Sequence, residues 1–308
     1  SRDNNAEHPI PMAGFPWHAL EDNLKIMLKS GFKVTVAEQE QELREGAKLL
    51  ERVVTRIYTP GSLYEESLLS TDDRSVLSSI ILAKSSLSMA IIDSSTGESW
   101  ASTWDGDARF SSLEDELLRW NPAEIVISKK DSENEQLCAI FANLTNCVIS
   151  QHNANKRRCV ERLETMLEVS DLGHLDLDGS PLSIEAAGFA ADYLAEVHFK
   201  DDIPIRDLQI VEDTGHLVVD QTTLRNLEIT STLSGEYEGS LISSMNYCRT
   251  AMGRRQLKTW LLRPLYQIEA IELRHNAVKT LKSSSKRLDM LRQNLAGLRD
   301  LELSLIHI

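Results

Sequence analysis

The sequence predicts an α/β multidomain protein, because strand patterns, helical patterns and an uneven charge distribution divide its 308 residues into three parts. A small α+β unit is predicted over residues 1–65, an α/β domain over 66–200 and a mainly helical segment over 201–308. Their net charges are −2, −12 and zero, so the middle part carries nearly all of the chain's charge of −14. A surface this acidic repels phosphates and suits protein docking.

The first part contains one predicted helix and two predicted strands. Apolar residues recur at helical spacing over 19–30, and Gly31 stands where a left-handed residue commonly ends a helix. Residues 32–39 alternate like a strand, and residues 51–63 predict a second strand that ends in a Pro-Gly turn. The polar residues 40–50 between the strands predict a loop or a short helix.

The middle part begins with three runs rich in β-branched residues. Residues 76–82, residues 88–92 and a run after the turn at 95–97 predict an antiparallel meander. A helical pattern at 112–120 precedes two short buried strands, in the letters AEIVIS and NCVIS, and residues 156–200 are mainly helical. Strands that meander and then alternate with helices are similar to the ribonuclease H fold.

The third part is predicted to be a strand followed by helices. Residues 215–219 form the strand pattern, and Asp220 is a candidate N-cap for a helix. Two long helices are predicted over 240–262 and 266–305, with a break at Arg263-Pro264.

Several function classes are excluded by what the sequence lacks. No apolar run approaches 18 residues, which argues against membrane insertion. The four cysteines have neither metal-site spacing nor a disulfide-type pattern, so free thiols in a reducing cytoplasm are expected. The letters GRRQLKT at 253–259 lack the second glycine of a phosphate-binding loop and lie in a helical pattern. We expect no ATP hydrolysis, no catalytic residues and no bound metal in this chain.

Asp93 is a candidate metal ligand, because it ends a buried strand before a Thr-Gly turn. Two-metal nucleases need several carboxylates around Mg²⁺, and Glu124, Asp115 and Glu116 are candidate companions. The alternative is that Asp93 has a structural role in a hairpin turn, which is far commoner.

The opening hairpin combines apolar side chains with cations, a mixture that minor-groove-binding proteins use. Its candidates are Met12, Phe15, Trp17, His18, Lys25, Lys29, Lys33 and Arg56. The alternative, which the residues alone favour, is that Phe15 and Trp17 belong to a core and that the lysines form a solvated helix face.

Five segments together resemble the bacterial MutS family of DNA mismatch-recognition proteins. They are IPMAGFPWHALEDNLKIMLKSGFKVTVAEQ, VVTRIYTPGSLYEESLL, AIIDSSTGE, DQTTLRNLEI and SLISSMNYCRTAMGRRQLKTWLLRPL, in the family's order and approximate spacing. The resemblance extends over nearly the whole chain. The letters PMAGFPWHA and TLRNLEI…AMGRRQLKTWL are its most specific parts.

The resemblance implies a role for each part. Residues 1–65 would be the later part of the mismatch-binding domain, with Met12, His18, Lys33 and Arg56 as DNA-binding residues. Residues 66–200 would be the connector domain, with the ribonuclease H topology but without its activity. Residues 201–308 would be the first segment of the core or lever domain, in which Arg254, Arg255 and Lys258 have no assigned DNA role.

The resemblance also implies partners and missing parts. Mismatched double-stranded DNA, MutL bound through the acidic connector and a MutS homodimer are the expected partners, in the bacterial cytoplasm at the nucleoid. The family's Phe-x-Glu wedge and its ATPase domain, which binds ATP and Mg²⁺, are expected to lie outside this chain. The last letters, LELSLIHI, depart from the family pattern and are expected to be non-native.

Two alternatives of other classes remain open. One is a metal-dependent nuclease of ribonuclease H type centred on Asp93. The other is a pure protein-docking module with no affinity for DNA.

Overall fold

The structure is a computed structural model that describes residues 14–39, 52–63, 75–144, 147–169, 172, 181–198, 205, 207–211, 216–217, 219, 221–298 and 300. Met12, Asp220 and the predicted loop at 40–50 lie outside the described residues. Within the described ranges, every helix is too short or too polar to cross a lipid bilayer.

The described residues 14–39 and 52–63, called here the N-terminal unit, contain one α-helix and one pair of strands. A 3-10 turn at Trp17–Ala19 leads into helix α1, Leu20–Lys29. Strands β1, Val34–Gln39, and β2, Arg52–Tyr58, pair antiparallel. Gly31 has a φ of 81°, so the predicted left-handed end of the helix is confirmed.

The core of the N-terminal unit is small. Leu24 and Leu28 of α1 are its buried apolar residues within the described part of the chain, and half-buried neighbours such as Tyr58 pack against them. So small a core contributes little free energy of folding, because hydrophobic stabilisation grows with the apolar area buried. Contacts with the neighbouring sheet, through Ile57 and Gly61, add to this core.

Residues 75–211, called here the sheet unit, form a six-stranded mixed sheet. Its strands are β3 (Val76–Leu82), β4 (Ser86–Asp93), β5 (Glu98–Asp105), β6 (Glu124–Ile127), β7 (Val148–Gln151) and β8 (Asp207–Ile210). The spatial order is β7-β6-β3-β4-β5-β8. Strands β3, β4 and β5 form the predicted antiparallel meander, whereas β6 pairs parallel with β3, β7 with β6 and β8 with β5. The sequence patterns did not predict β8.

Helices cover both faces of the sheet because its strands are apolar on both sides. The helices are α2 (Arg109–Trp120), α3 (Glu135–Ala142), α4 (Lys156–Met166) and α5 (Pro181–His198). Ile80 and Ile91 pack in the cluster that contains the apolar residues of α2 and α3. Leu77 and Ile92 point the other way and pack in the cluster formed with α4 and α5.

Helix α5 approaches α4 so closely that one position admits only glycine. A Cβ atom added to Gly188 would lie 2.3 Å from the carbonyl oxygen and 2.6 Å from the carbonyl carbon of Cys159. The absence of a side chain at Gly188 thus sets the spacing of the two helices.

Residues 221–300, called here the helical unit, contain five helices within the described ranges. They are α6 (Gln221–Asn226), α7 (Leu241–Met245), α8 (Ala251–Leu262), α9 (Ile268–Lys282) and α10 (Ser285–Ala296). The predicted break at Arg263-Pro264 is confirmed. Of the predicted strand at 215–219, the described residues show one isolated bridge, from His216 to Leu265.

The prediction of two long helices in this unit was wrong, because side-chain caps divide each of them. Thr250 Oγ1 accepts a hydrogen bond from Gly253 N at 3.0 Å and starts α8. Ser284 Oγ accepts one from Arg287 N at 3.4 Å and starts α10. A hydroxyl at an N-cap replaces a backbone acceptor and favours a new helix start over continuation of the old helix.

Candidate nucleic-acid interface

The four predicted DNA-binding residues lie in different settings. Met12 is outside the described residues. His18 is exposed in the 3-10 turn before α1. Lys33 directly precedes β1, and Arg56 lies on β2 opposite Val36. Their contacts with DNA stay predictions.

Two aromatic side chains beside His18 are exposed. Phe15 is 45% exposed and Trp17 is 72% exposed, so the alternative that places them in a core was wrong. Phe32, which sequence reasoning did not single out, is 63% exposed at the other end of α1. Pro16, between Phe15 and Trp17, has an extended backbone and directly precedes the 3-10 turn. The N-terminal unit therefore presents apolar side chains to solvent beside its cations.

The guanidinium of Arg56 is on the solvent side of β2. Its Nη1 atom donates to the hydroxyl of Tyr58 at 3.1 Å, and both side chains are on the same face because they are two residues apart on a strand. Arg52 is also exposed, but a register irregularity between Val36 and Ala37 pairs it with Gln39, so it lies on the opposite face from Arg56. The exposed guanidinium of Arg56 suits contact with a phosphate backbone, since guanidinium groups bind phosphate oxygens well.

Lys33, in contrast, contacts other residues of the chain. Its ammonium nitrogen lies 3.2 Å from Oε1 of Glu124, donates to the hydroxyl of Tyr193 at 3.1 Å and lies 5.4 Å from the centre of the Tyr193 ring. Both partners belong to the sheet unit. The side chain of Lys33 is nevertheless 39% exposed.

Glu124 is the centre of a buried polar junction between the two units. Its carboxylate is fully buried, and Oε1 accepts hydrogen bonds from the Tyr193 hydroxyl at 2.6 Å and from the Ser150 hydroxyl. Its Oε2 accepts from the backbone N–H of Gly61 in the N-terminal unit at 3.2 Å. A buried carboxylate is tolerated only when it is paired and hydrogen-bonded, and both conditions are met here.

The turn after β2 is fitted into the edge of the sheet around this carboxylate. Ser94 Oγ donates to the carbonyl of Gly61 at 2.9 Å, and Leu63 N donates to Ser75 Oγ at 2.8 Å. A Cβ atom at Gly61 would lie 2.7 Å from the Cβ of Glu124. The sequence predicted this turn but gave no signal that it docks on Glu124.

Asp93 has a structural role in a hairpin. Its Oδ1 accepts hydrogen bonds from both the backbone N–H and the hydroxyl of Ser95, at 3.0 and 2.5 Å, and its carbonyl accepts from Gly97 N at 2.8 Å. This is the local pattern by which an Asp side chain closes a turn. Glu116, one candidate companion, pairs with Arg119 and with Arg263.

No group of three or more His, Cys, Asp or Glu side chains suited to a metal ion occurs in the part of the chain that the structure describes. The hydrogen bonds of Asp93 within its own turn do not favour the nuclease alternative.

A second junction joins the sheet unit to the helical unit. Arg263, after α8, donates to Glu116 of α2 at 2.5 Å and its guanidinium lies 4.8 Å from the centre of the Trp120 ring. Trp120 in turn packs at 4.7 Å against Trp100 of β5. A guanidinium over a tryptophan face adds a cation–π attraction to the ion pair.

The cysteine thiols are predicted to differ in reactivity, because only Cys138 is exposed. Burial, followed by the charge of Glu124, raises the pKa of Cys147 to about 12, and burial raises the pKa of Cys159 to about 11. Since the thiolate is the reactive form, we expect Cys138 to dominate the fast reaction of the native chain with a thiol reagent at pH 8. Replacing Cys138 by serine should remove that phase; if the phase persists, one of the three less exposed cysteines is responsible for it.

The raised pKa values of Cys147, which is half-buried, and Cys159, which is buried, predict a dependence of stability on pH. Their pKa values in the folded chain are above the unfolded value of 9.0, so the protonated form is bound more tightly in the folded state. Their stabilising contribution is complete below pH 9 and is lost as the pH rises through about 11. Urea unfolding at about pH 8 and about pH 10.5 should show this loss, and it should be smaller in a Cys147→Ala variant.

Comparison with known proteins places three family models along the chain in order. The model for MutS domain I matches residues 1–67, that for MutS domain II matches residues 75–203 and that for MutS domain III matches residues 222–308. Among individual relatives, a protein named DNA mismatch repair protein MutS from Syntrophomonas wolfei is 34% identical over 98% of this chain. Proteins of the same name from Nostoc punctiforme and Dehalococcoides mccartyi are each 32% identical over 98% of it.

The chain spans about a third of the length of these curated relatives. It covers 36% of the Syntrophomonas protein, 35% of the Nostoc protein and 34% of the Dehalococcoides protein. The similarity therefore extends along this whole chain but along only part of each relative.

Proposed function

Because this chain belongs to the MutS family, we propose that it is the mismatch-binding, connector and first lever part of a DNA mismatch repair protein. The observation that carries the proposal is the succession of three models of one family, in order, along a chain whose fold has three matching parts. The chain acts by binding and by transmitting a signal, without catalysis of its own. It works in the bacterial cytoplasm at the nucleoid.

The N-terminal unit is the part proposed to touch mismatched double-stranded DNA. Its exposed Trp17 and Phe15 supply apolar surface for a disturbed base step, and Arg56 supplies charge for the backbone. Bending a duplex costs less where stacking is already weak, so a mismatch is easier to deform than a perfect pair. The Phe-x-Glu wedge of the family would test that weakness in the complete protein.

The sheet unit is proposed to be the connector, with a ribonuclease H topology and no nuclease activity. Its antiparallel meander β3-β4-β5, followed by the parallel strands β6 and β7, supports this assignment. So does the turn-closing role of Asp93. The net charge of −12 over residues 66–200 favours a protein partner, proposed to be MutL, over DNA.

The helical unit is proposed to begin the lever of the complete protein. Helices α9 and α10 contain no buried residue in the described chain, although both carry apolar residues such as Leu273 and Met290. Such faces suit packing against further parts of the lever. In the complete protein we propose a homodimer with an ATPase domain that binds ATP and Mg²⁺. ATP binding would convert the dimer into a sliding clamp.

The test is fluorescence anisotropy of this chain with a G·T duplex and its perfectly paired counterpart over a series of salt concentrations. We expect weak, salt-sensitive binding with little discrimination, because the proposed backbone contacts belong to this chain and no Phe-x-Glu sequence occurs in it. Absence of binding at low salt would contradict the proposal and favour the pure docking module. Metal-dependent cleavage of the duplex, abolished by Asp93→Asn, would favour the nuclease.

Replacement of Arg56 by alanine is expected to weaken binding to both duplexes equally. If the guanidinium neutralises one phosphate, the slope of log K against log salt should become smaller by about 0.9. Arg292→Ala, on the exposed surface of α10, is the matched control and should leave the slope unchanged. An unchanged slope for Arg56→Ala would place the DNA on another surface.

A further inference from the structure

The residues that contact the Glu124 carboxylate come from two different units of the chain. The carboxylate is fully buried on β6 of the sheet unit, whereas Lys33 and Gly61 belong to the N-terminal unit. Tyr193 and Ser150, the two hydroxyl donors, belong to the sheet unit, as does the carboxylate itself. Half of these partners of the carboxylate are thus present only in the docked arrangement.

Lys33 provides the charge that makes burial of this carboxylate possible. Among the described residues, it is the cation joined to Glu124 by an ion pair. Removing one member of a buried pair leaves an uncompensated charge, which is strongly unfavourable. Without Lys33, the carboxylate would regain favourable surroundings by admitting water, and movement of the turn at Gly61 would open a path for that water.

The apolar contacts of the N-terminal unit cannot easily replace this contribution. Its own buried core consists of Leu24 and Leu28 in the described chain, and Ile57 is its half-buried contribution to the large cluster of the sheet unit. The polar junction at Glu124 therefore contributes a large part of the free energy that holds the N-terminal unit on the sheet unit.

We propose that Lys33 and Glu124 form an ionic latch that holds the N-terminal unit on the sheet unit, and that Lys33 serves this latch instead of a DNA-binding surface. The latch closes through the Lys33 ammonium and the Gly61 N–H on one carboxylate. Its cation is partly exposed, so the pair is at the rim of the junction and the carboxylate is at its centre. Lys33 is then a positioning residue: it orients the surface that carries Trp17 and Arg56.

The direct test is hydrogen exchange of the Gly61 amide, which donates to Glu124, in the 308-residue chain. Lys33→Met keeps the length of the side chain and removes its charge. We expect exchange in the peptide around Gly61 to accelerate by about tenfold or more, since a charge-assisted contact is lost. Lys29→Met, at the exposed end of α1, is the matched control and should leave exchange unchanged. Equal exchange in the two variants would overturn the latch.

A double substitution tests whether Lys33 acts through Glu124. Glu124→Gln removes the charge that the ammonium pairs with and keeps one acceptor oxygen in place of two, so the exchange of Gly61 in this single variant is the reference for the double variant. In this background, Lys33→Met should have little additional effect on exchange at Gly61. A full additional effect would overturn the pairing.

Anisotropy tests the second half of the proposal, which removes Lys33 from the DNA-binding surface. If Lys33 contacted a phosphate, its loss would reduce the slope of log K against log salt concentration by about 0.9. We expect the slope of Lys33→Met to equal that of the unsubstituted chain, and a decrease would return Lys33 to the DNA-binding surface.

The exchange experiment contains no DNA. Its outcome is therefore independent of the function proposed above, and failure of DNA binding would leave the test of the latch intact. The circular dichroism of Lys33→Met should match that of the unsubstituted chain, since Lys33 is partly exposed and lies outside the apolar clusters.

Discussion

Replacement of Glu124 by alanine is expected to lower the free energy of unfolding of the sheet unit by about 4 kcal/mol. The substitution leaves the Tyr193 hydroxyl, the Ser150 hydroxyl and the Gly61 N–H without their acceptor. Each buried donor without a partner costs about 1–3 kcal/mol. Urea unfolding followed by tryptophan fluorescence would measure the change, because Trp100, Trp104 and Trp120 all lie in this unit.

A matched substitution gives the reference for Glu124. Glu133 is exposed in the same unit, so Glu133→Ala should change the free energy by no more than about 0.5 kcal/mol. If the two variants lose equal stability, water must replace the missing carboxylate, and the junction is more open than the structure shows.

Replacement of Gly188 by alanine is expected to lower the free energy of unfolding by about 2 kcal/mol. The new methyl group would stand 2.3 Å from the carbonyl oxygen of Cys159, and a backbone carbonyl in a helix cannot rotate away. Overpacking costs about 1–3 kcal/mol, and the upper end applies when α4 must shift as a whole. Alanine's higher helix propensity offsets about 1 kcal/mol of this cost.

Gly297→Ala is the control for this effect, because it adds the same methyl group where no atom lies within 4 Å. Gly297 has a φ of −95°, which alanine adopts without strain, so this variant should be unchanged or slightly more stable. Thermal unfolding of both variants would measure the difference. A Gly188→Ala chain as stable as Gly297→Ala would mean that the two helices separate at little cost.

Local patterns predicted most elements of the first two units. The helix before Gly31, the meander β3-β4-β5 and the short strands β6 and β7 all followed from apolar periodicity and turn residues. These signals are local, since each depends on neighbours within a few residues. The same rules failed over residues 240–305, where Thr250 and Ser284 act as helix caps and periodicity alone continues through them.

The polar junction could not be predicted from local patterns. Glu124 and Tyr193 are 69 positions apart, and Lys33 and Tyr193 are 160 apart. Nothing in a lysine before a strand distinguishes a cation that pairs with a buried carboxylate from one that faces solvent. For the same reason, sequence reasoning could place Lys33 on a DNA-binding surface but could not detect its contacts with the sheet unit.

The parallel pairing of β5 with β8 has a consequence for synthesis of the chain. Ser99 donates to the carbonyl of Asp207, a residue 108 positions later. On a ribosome that adds about 5–20 residues per second, β5 therefore waits roughly 5–20 s for its neighbour. During that interval its open edge can pair with another nascent chain, and the charges of Glu98 and Asp105 at its two ends oppose such pairing. Completion of the sheet, and with it resistance to misassembly, comes only when Ile210 has left the ribosome.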